Sequence, residues 1–391
     1  MIIDKAERLK TTKEYYFSVK LQEVRELMAK GHDIINIAIG NPDMSPSQAT
    51  IDELSIQANK SDNHGYQNYR SIPELRNAIS KWLNITYQID LDPNDEILPL
   101  IGSKEGITHL SLAFLNPGDE VLVPELGYPA YTAVSEMIGA KTIKYPMLED
   151  QQWKPDLASL QKMDLSKVKI MWINYPNMPT GAPASRELFE EIIDFARKNK
   201  ILVAHDNPYS LILNETPPIS LLSIEGAKDV ALELNSMSKS HNMAGWRLGR
   251  VAGEKDYIDA IIQIKSNVDS GMFKPMQLAA VKAFDNPPSW HDERNDEYKQ
   301  RRELVYQILD KLGCTYDTSQ VGMFIWAKVN PTVGTSDKLS DYLLYKKNIF
   351  VTPGFVFGKK GKEYVRASLC VNQETLKKVL DRLESFDISE I

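Results

Sequence analysis

The sequence predicts an α/β protein with a mainly parallel central sheet. From about Asp95 onward, short β-branched and apolar runs alternate with helical patterns, as they do in β–α–β units. The clearest unit runs from the strand E-I-L-P-L-I-G through the turn S-K-E-G and the helix I-T-H-L-S-L-A-F-L to the strand E-V-L-V-P. With 391 residues, of which 42% are hydrophobic and 25% charged, the chain is long enough for two domains.

Two further units continue the alternation. The strand V-K-I-M-W-I-N leads through a proline-rich loop into a helix predicted at residues 185–200, and the strand I-L-V-A-H-D follows that helix. A third strand, V-A-L-E-L-N, ends just before residue 236. Ligands of open sheets bind beyond the carboxyl ends of the strands, so we expect the functional residues at that edge.

A boundary after residue 284 predicts a second, smaller domain. The helical stretch at residues 275–284 ends at the break D-N-P-P, and a long charged helix is predicted at about residues 292–311. A final strand and helix follow. We therefore predict a large domain at residues 46–285 and a small α/β domain built from residues 1–45 and 286–391.

The composition and charge of the chain indicate which kinds of molecule the protein is expected to bind. The net charge of −7, without a dense Lys/Arg tract, gives no reason to expect nucleic acid or an anionic membrane. No apolar run approaches the roughly 18 residues of a membrane span. The first residues lack the apolar core of a signal peptide, and two cysteines are too few for a disulfide framework. The six histidines fall at no metal-ligand spacing. We expect a cytoplasmic location, small-molecule substrates and no metal.

The segment S-M-S-K-S-H-N-M-A-G-W-R-L-G-R, from Ser236 to Arg250, sets one lysine between hydroxyls, with an arginine eight residues later. The Lys239 amine can form an imine with an aldehyde, while small hydroxyls and the Arg247 guanidinium can hold an attached phosphate. The alternative is a surface loop with an ordinary salt-bridged lysine and arginine.

This segment resembles the lysine motif of the class I/II aminotransferases, which depend on pyridoxal phosphate (PLP), and the resemblance extends over about residues 36–369. It implies a fold-type-I PLP transferase, with a mostly parallel sheet sandwiched by helices in the large domain and a smaller α/β domain. It also implies that Lys239 holds PLP as an internal aldimine and then moves a proton between the substrate Cα and the cofactor carbon.

Three residues match those that bind the cofactor ring in this family. Asp206 matches the carboxylate that keeps the pyridine nitrogen protonated, which makes the ring an electron sink. Tyr209 matches the phenol that hydrogen-bonds the ring oxygen, and Tyr128 the aromatic side chain that stacks on the ring. The alternatives are a chain-turning role for Asp206 and core packing for Tyr128.

The turn G-S-K-E-G stands between a predicted strand and a predicted helix, where free backbone N–H groups and the helix dipole favour a phosphate. It resembles the phosphate loop of the diaminopimelate aminotransferase branch. The resemblance therefore implies that Ser103 and Lys104 bind the phosphate together with Ser236, Ser238 and Arg247.

Two residues are expected to act across a subunit interface. Tyr66 matches a tyrosine that reaches the phosphate of the neighbouring subunit, and Ser270, in N-V-D-S-G-M-F, is a further candidate for that role. The resemblance thus implies a homodimer with active sites shared across the interface.

The substrate end carries one departure from the family. Arg366 matches the arginine whose planar fork binds the substrate α-carboxylate, and Gly40, in A-I-G-N-P-D, matches a turn close to the substrate. Without the family, Arg366 could equally belong to a structural ion pair. The family pattern N-P-N-N-P-T-G has an asparagine where this chain has Met178, and a thioether cannot replace its hydrogen bonds. Either Asn177 replaces that side chain, or Tyr209 and Arg366 make its contacts alone.

The resulting hypothesis is an aminotransferase that moves an amino group from an L-amino acid to a 2-oxoacid. Its motifs look most like the branch of diaminopimelate and alanine aminotransferases, with aspartate aminotransferases next. One alternative is a PLP-dependent β-lyase of the same fold, which the Met178 departure motivates. Another is a non-enzymatic regulator, disfavoured because the roughly 35 residues before I-N-I-A-I-G-N-P-D leave no room for a DNA-binding domain. The last is an unrelated α/β enzyme in which Lys239 is structural.

Overall fold

The computed structural model describes residues 2–10 and 16–391. Its strands, numbered in chain order, are β1 Ile35–Asn36, β2 Ile97–Leu100, β3 Glu120–Pro124, β4 Lys141–Tyr145, β5 Met147–Leu148, β6 Lys154–Pro155, β7 Val168–Ile173, β8 Leu202–Asp206, β9 Ala231–Ser236, β10 Gly249–Gly253, β11 Thr315–Tyr316, β12 Phe324–Lys328, β13 Ile349–Phe350, β14 Thr352–Pro353 and β15 Tyr364–Ser368.

The α-helices are α1 Tyr16–Ala29, α2 Gln48–Ala58, α3 Pro73–Tyr87, α4 Ser103–Phe114, α5 Pro129–Ile138, α6 Leu157–Leu160, α7 Arg186–Asn199, α8 Met237–Ser240, α9 Lys255–Lys265, α10 Lys274–Phe284, α11 Pro288–Lys311, α12 Ser336–Lys347 and α13 Gln373–Arg382. Within the described ranges, no helix is both long enough and apolar enough to cross a membrane.

Seven strands form the central sheet, in the order β2-β10-β9-β8-β7-β3-β4. All neighbouring pairs are parallel except the two that involve β10, which runs against both β2 and β9. The predicted α/β class with a mainly parallel sheet is confirmed. Because β10 is reversed, its first residue, Gly249, lies opposite Leu100 and Ser236, at the carboxyl ends of their strands.

Both faces of this sheet are buried, which explains why its strands read as continuous apolar runs rather than as alternating patterns. In β7, Met171 and Ile173 belong to one hydrophobic core, and Ile170 and Trp172 belong to a second core on the opposite face. Successive side chains of a strand point to opposite faces, so the sheet separates two apolar layers.

Helix boundaries follow local signals closely. Helix α7 begins directly after Ser185, whose Oγ accepts a hydrogen bond from the Leu188 backbone N–H at 3.2 Å, and the helix ends before Lys200 in a left-handed conformation. These ends agree with the predicted residues 185–200. Helix α11 begins at Pro288, four residues before the predicted start, because a proline in the first turn already has a helical φ.

A second sheet of four short strands, in the order β11-β12-β15-β14, is antiparallel throughout. In it, Arg366 of β15 lies between Trp326 and Thr352. Strand β1 pairs with β13 in parallel, with Ile35 opposite Ile349, so the segment before α2 packs beside the carboxyl-terminal third of the chain.

Candidate active site

A cavity of about 400 Å³ opens at the carboxyl edge of the central sheet. Strands β2, β8 and β9 end there, and the first residue of the reversed β10 lies there as well. Most of the residues expected from the sequence line this cavity: Gly40, Ser103, Lys104, Tyr128, Asp206, Tyr209, Ser236, Ser238, Lys239, Arg247 and Arg366. The structure therefore brings together residues that are up to about 330 positions apart in the chain.

Lys239 lies on the single-turn helix α8, directly after β9. Its Nζ donates a hydrogen bond to the carbonyl oxygen of Gly40. Burial lowers the pKa of Lys239 below its ordinary value, and the positive charges of Arg366 and Arg247 act in the same direction. A lowered pKa favours the neutral amine, which is the form that attacks an aldehyde.

Asp206 ends strand β8 and is buried at the cavity wall. Burial raises the pKa of Asp206 to about 6, against a hydrogen bond from Tyr131 and the nearby His205. Tyr131 donates to Oδ2 at 2.8 Å, whereas Oδ1 is buried and has no hydrogen-bond partner among the described residues. A buried acceptor of this kind fits the N–H of a protonated pyridine ring.

Tyr131 is a site residue that the sequence reasoning missed. It lines the cavity, and its ring stacks on Trp172 with a centroid distance of 4.8 Å and an interplanar angle of 5°. Tyr128, three residues earlier in P-E-L-G-Y-P-A-Y, makes an edge contact with it at 5.7 Å. That spacing was the available signal, because a helix beginning at Pro129 turns both tyrosines towards the same side.

A buried histidine–glutamate contact supports the strands beneath Asp206. His205 Nδ1 lies 3.0 Å from Glu233 Oε2, and His205 Nε2 lies 2.9 Å from the carbonyl oxygen of Tyr175. Burial alone would raise the pKa of Glu233, but His205, the Ser220 hydroxyl and a backbone N–H hold that pKa below its ordinary value. Because His205 is on β8 and Glu233 is on β9, the pair ties together the two strands that present Asp206 and Lys239.

Hydroxyls and a guanidinium surround one end of the cavity. Arg247 Nη1 lies 3.4 Å from Ser238 Oγ, and Ser236 Oγ accepts a hydrogen bond from the Ser238 backbone N–H at 3.1 Å. Opposite them, Ser103 begins helix α4, whose N-terminus favours an anion. Gly102 has a φ of +81°, which favours glycine, and a Cβ there would lie 2.4 Å from Arg247 Nη2 and displace that guanidinium.

Arg366 enters the cavity from the second sheet. Its Nη2 donates to the carbonyl oxygen of Ala38 at 2.8 Å, and its Nη1 lies 3.1 Å from the Met178 sulfur. The guanidinium carbon lies 3.8 Å from the ring centroid of Phe324. A Cβ on Gly40 would lie 2.1 Å from that ring, so the close approach of the Gly40 backbone requires glycine.

Asn177 does not replace the asparagine that is absent at position 178. Its side chain donates to the Asn174 carbonyl oxygen at 3.1 Å and accepts from Thr180 Oγ1 at 2.7 Å, so its hydrogen bonds hold the turn together. Asn177 is not among the residues that line the cavity, whereas Asn174 and Met178 are. Asn174 in turn donates to the backbone oxygen of Asp206 at 2.7 Å.

Tyr66 and Ser270 also lie outside the cavity, on the surface. The side chain of Tyr66 is 95% exposed, and Ser270 is exposed as well. Their loops pack together, since a Cβ on Gly271 would lie 2.5 Å from the backbone oxygens of Gln67 and Asn68. The two residues therefore share one exposed surface, and their role in a partner subunit stays a prediction.

The structure brings together one group of possible metal ligands that the sequence spacing did not suggest, Glu105, His109 and Asp269. Lys265 is buried against the same group, with its Nζ 2.8 Å from Glu105 Oε1 and hydrogen-bonded to Asp269. His109 Nε2 lies 2.8 Å from Glu105. The Lys265 ammonium thus supplies the positive charge that these carboxylates require.

This arrangement suits the chemistry of PLP. An amine with a lowered pKa, a buried carboxylate oxygen and a ring of anion-binding groups converge on one cavity of an α/β fold. Fold and site together define a PLP-dependent transferase of fold type I.

Comparisons with known proteins agree with this assignment. The chain belongs to the class I and II aminotransferases, whose family model matches residues 32–383. It is 38% identical to the LL-diaminopimelate aminotransferase of Halothermothrix orenii over 387 residues, which are 99% of each chain. It is 39% identical to the enzyme of that name from Natranaerobius thermophilus, covering 97% of this chain and 98% of that one. The structure of apo-BacF from Bacillus subtilis matches with a TM-score of 0.94 and 33% identity over 98% of both chains. The chain is therefore a PLP-dependent aminotransferase.

Proposed function

We propose that Lys239 is the catalytic lysine of this aminotransferase. We also propose that Asp206 binds the cofactor ring and that Arg366 binds the substrate. Bound PLP supplies an aldehyde for the substrate amine and a ring that accepts the electron pair released at Cα. The buried Asp206 carboxylate would hold the protonated ring nitrogen, and Arg366 would bind the substrate α-carboxylate. Lys239 then removes the Cα proton as a general base and returns a proton to the cofactor carbon as an acid.

The observation that carries this proposal is the shared cavity. The buried Lys239 amine, the unpartnered Asp206 oxygen and the Arg366 guanidinium all line it, although they come from α8, β8 and β15. Gly40 contributes its backbone carbonyl, which accepts from Lys239. We further propose that Ser103, Lys104, Ser236, Ser238 and Arg247 bind the cofactor phosphate, with Tyr128 and Tyr209 at the ring.

The relatives named LL-diaminopimelate aminotransferase make that diamino acid one candidate donor, beside alanine, aspartate and glutamate.

We also propose a homodimer in which Tyr66 and Ser270 reach the partner's cofactor, because both are exposed on one surface. The pairing of β1 with β13 supports a small domain made from residues 1–45 and 286–391 beside a large domain at residues 46–285. A cytoplasmic location stays a prediction from the sequence.

Borohydride reduction of the protein reconstituted with PLP tests the lysine assignment. We expect the cofactor to become fixed to the peptide that contains Lys239, and Lys239→Ala to lose this label and at least about 100-fold of the amino-transfer rate. The exposed lysine variant Lys255→Ala is the control and should keep both. Labelling of a different lysine would contradict the proposal. Release of pyruvate and ammonia from cysteine without any 2-oxoacid would instead indicate a β-lyase.

A further inference from the structure

The charged side chains that line the active-site cavity are all used by the proposed mechanism. Among the described residues these are Lys104, Asp206, Lys239, Arg247 and Arg366. The first four serve the cofactor, and Arg366 serves the substrate α-carboxylate. The described residues of one protomer thus offer no further charged group in this wall to a substrate side chain.

The polar groups nearest the substrate end are engaged as well. Asn174 donates through Nδ2 to the Asp206 backbone oxygen and accepts through Oδ1 from the Met178 N–H at 2.8 Å. The Tyr131 hydroxyl donates to Asp206. At position 178 a thioether replaces the amide of the family pattern, and its sulfur lies against Arg366. A charged substrate side chain would lose its hydration there without a compensating partner.

The wall around Arg366 is instead apolar and aromatic. The guanidinium carbon lies 3.8 Å from the ring centroid of Phe324, 4.7 Å from that of Phe357 and 5.7 Å from that of Phe17. Leu21, four residues after Phe17 on helix α1, lies on the same helix face and also lines the cavity. A side chain that extends from an α-carbon held by Arg366 therefore meets hydrocarbon surface.

We propose that the preferred substrate carries an apolar side chain, either aliphatic, thioether or aromatic, and that Phe17 and Leu21 of helix α1 select it. This inference rests on the proposed roles of Lys239 and Arg366. It distinguishes this chain from the activity in its relatives' name, because diaminopimelate presents a second ammonium and carboxylate at its far end. A hydrophobic pocket discriminates by size and solvation, so the preference should be graded among apolar side chains rather than absolute.

The test compares kcat/KM of the PLP-loaded enzyme for L-leucine, L-methionine and L-phenylalanine with kcat/KM for L-aspartate, L-glutamate and LL-diaminopimelate, at a fixed 2-oxoacid. We expect the best apolar donor to exceed each charged donor by about 10-fold or more. A higher value for LL-diaminopimelate would overturn the inference, since the partner subunit would then supply its distal contacts, and the proposed function would stand. Absence of turnover with all six would contradict the proposed function itself.

A charge-insertion pair tests the role of helix α1. We expect Leu21→Arg to lower kcat/KM for L-leucine and to shift the L-glutamate to L-leucine ratio by about 10-fold towards glutamate. Val19→Arg adds the same charge to the same helix at an exposed position, and it should leave the ratio unchanged. If Leu21→Arg binds PLP normally with an unchanged ratio, helix α1 does not contact the substrate.

Discussion

The ionisation of Asp206 makes the stability of the folded protein depend on pH. Its pKa rises from the ordinary 3.8 to about 6, mainly because the carboxyl is buried. The unfolded chain loses this proton near pH 4, and the folded protein keeps it until about pH 6. Between those values the folded state binds more protons, so the contribution to stability falls as pH rises and is lost above pH 6.

We expect Asp206→Asn to stabilise the PLP-free protein at neutral pH. A difference of about two pKa units corresponds to roughly 3 kcal/mol in the free energy of unfolding, and asparagine does not titrate. Urea denaturation at pH 4, 5, 6 and 8 should show the variant's advantage growing up to pH 6 and then staying constant. The exposed variant Asp150→Asn should show no such pH-dependent advantage. A constant difference across all four pH values would contradict the assignment.

Single residues also show which features of the site the sequence cannot predict. Lys239, Asp206 and Arg366 can be predicted because each stands in a motif with a chemical purpose. The position of the Asn177 side chain could not be predicted, because its hydrogen bonds to Asn174 and Thr180 depend on the three-dimensional geometry of the turn. Tyr131 likewise becomes a site residue only through its hydrogen bond to Asp206.

Helix α9 ends at a buried lysine that joins two distant segments. Lys265 contacts Glu105, in the first turn of α4, and Asp269, just before Ser270. Burial opposes the ionisation of Glu105, but His109 and Lys265 hold its pKa well below the ordinary value. The second carboxylate oxygen of Glu105 accepts from the Ile101 N–H, next to the proposed phosphate loop. Lys265 therefore stabilises the conformation of the proposed phosphate loop through its contact with Glu105.

We expect Lys265→Met to destabilise the protein by roughly 3 kcal/mol or more, because two partly buried carboxylates lose their buried cation. The same substitution should weaken binding of PLP more than binding of pyridoxal, which lacks the phosphate. Lys255→Met changes an exposed lysine at the other end of the same helix and should alter neither quantity appreciably. An unchanged ratio of PLP to pyridoxal affinity in Lys265→Met would show that the contact with Glu105 does not act on the phosphate loop.

Elements differ in how well the sequence predicts them. Helix α7 was predictable to within a residue, since a serine cap, an apolar stripe and a basic last turn coincide. Strand β10 was not predicted. Its glycine-flanked run R-V-A begins at the last residue of the lysine motif, and both faces are buried, so no alternating pattern marks it. Its reversed direction depends on pairing with β2 and β9, which only the folded chain shows.

On the scale of the whole molecule, the proposed dimer requires each site to take residues from the partner subunit, Tyr66 among them. We expect a Tyr66→Ala chain and a Lys239→Ala chain to complement each other when co-expressed. Every mixed dimer then contains one complete site, so random assembly should restore about a quarter of the wild-type sites at limiting PLP. Each variant alone should show far less activity. Failure to complement, with mixed dimers isolated by two affinity tags, would place Tyr66 outside the partner's site.

The cavity illustrates the general limit on sequence reasoning. Motif order predicted most of the residues that line the cavity and are proposed to bind the cofactor, because cofactor chemistry restricts residue types. The substrate wall carries no such restriction. Phe17, Phe324 and Phe357 read as ordinary core residues in the sequence, and they become a binding surface only when α1 and the antiparallel sheet meet at Arg366.

The reversed strand β10 has an evolutionary consequence. Ser236 and Gly249 are paired in the β9–β10 ladder, so the sheet fixes both ends of the connection between them. Lys239 and Arg247 lie within that connection. Surface loops usually tolerate insertions and deletions. Here one added residue would shift either the amine or the guanidinium relative to the sheet. Mutation can therefore exchange side chains in this segment, but its length should be nearly invariant across descendants of this fold, and loop grafts should preserve it.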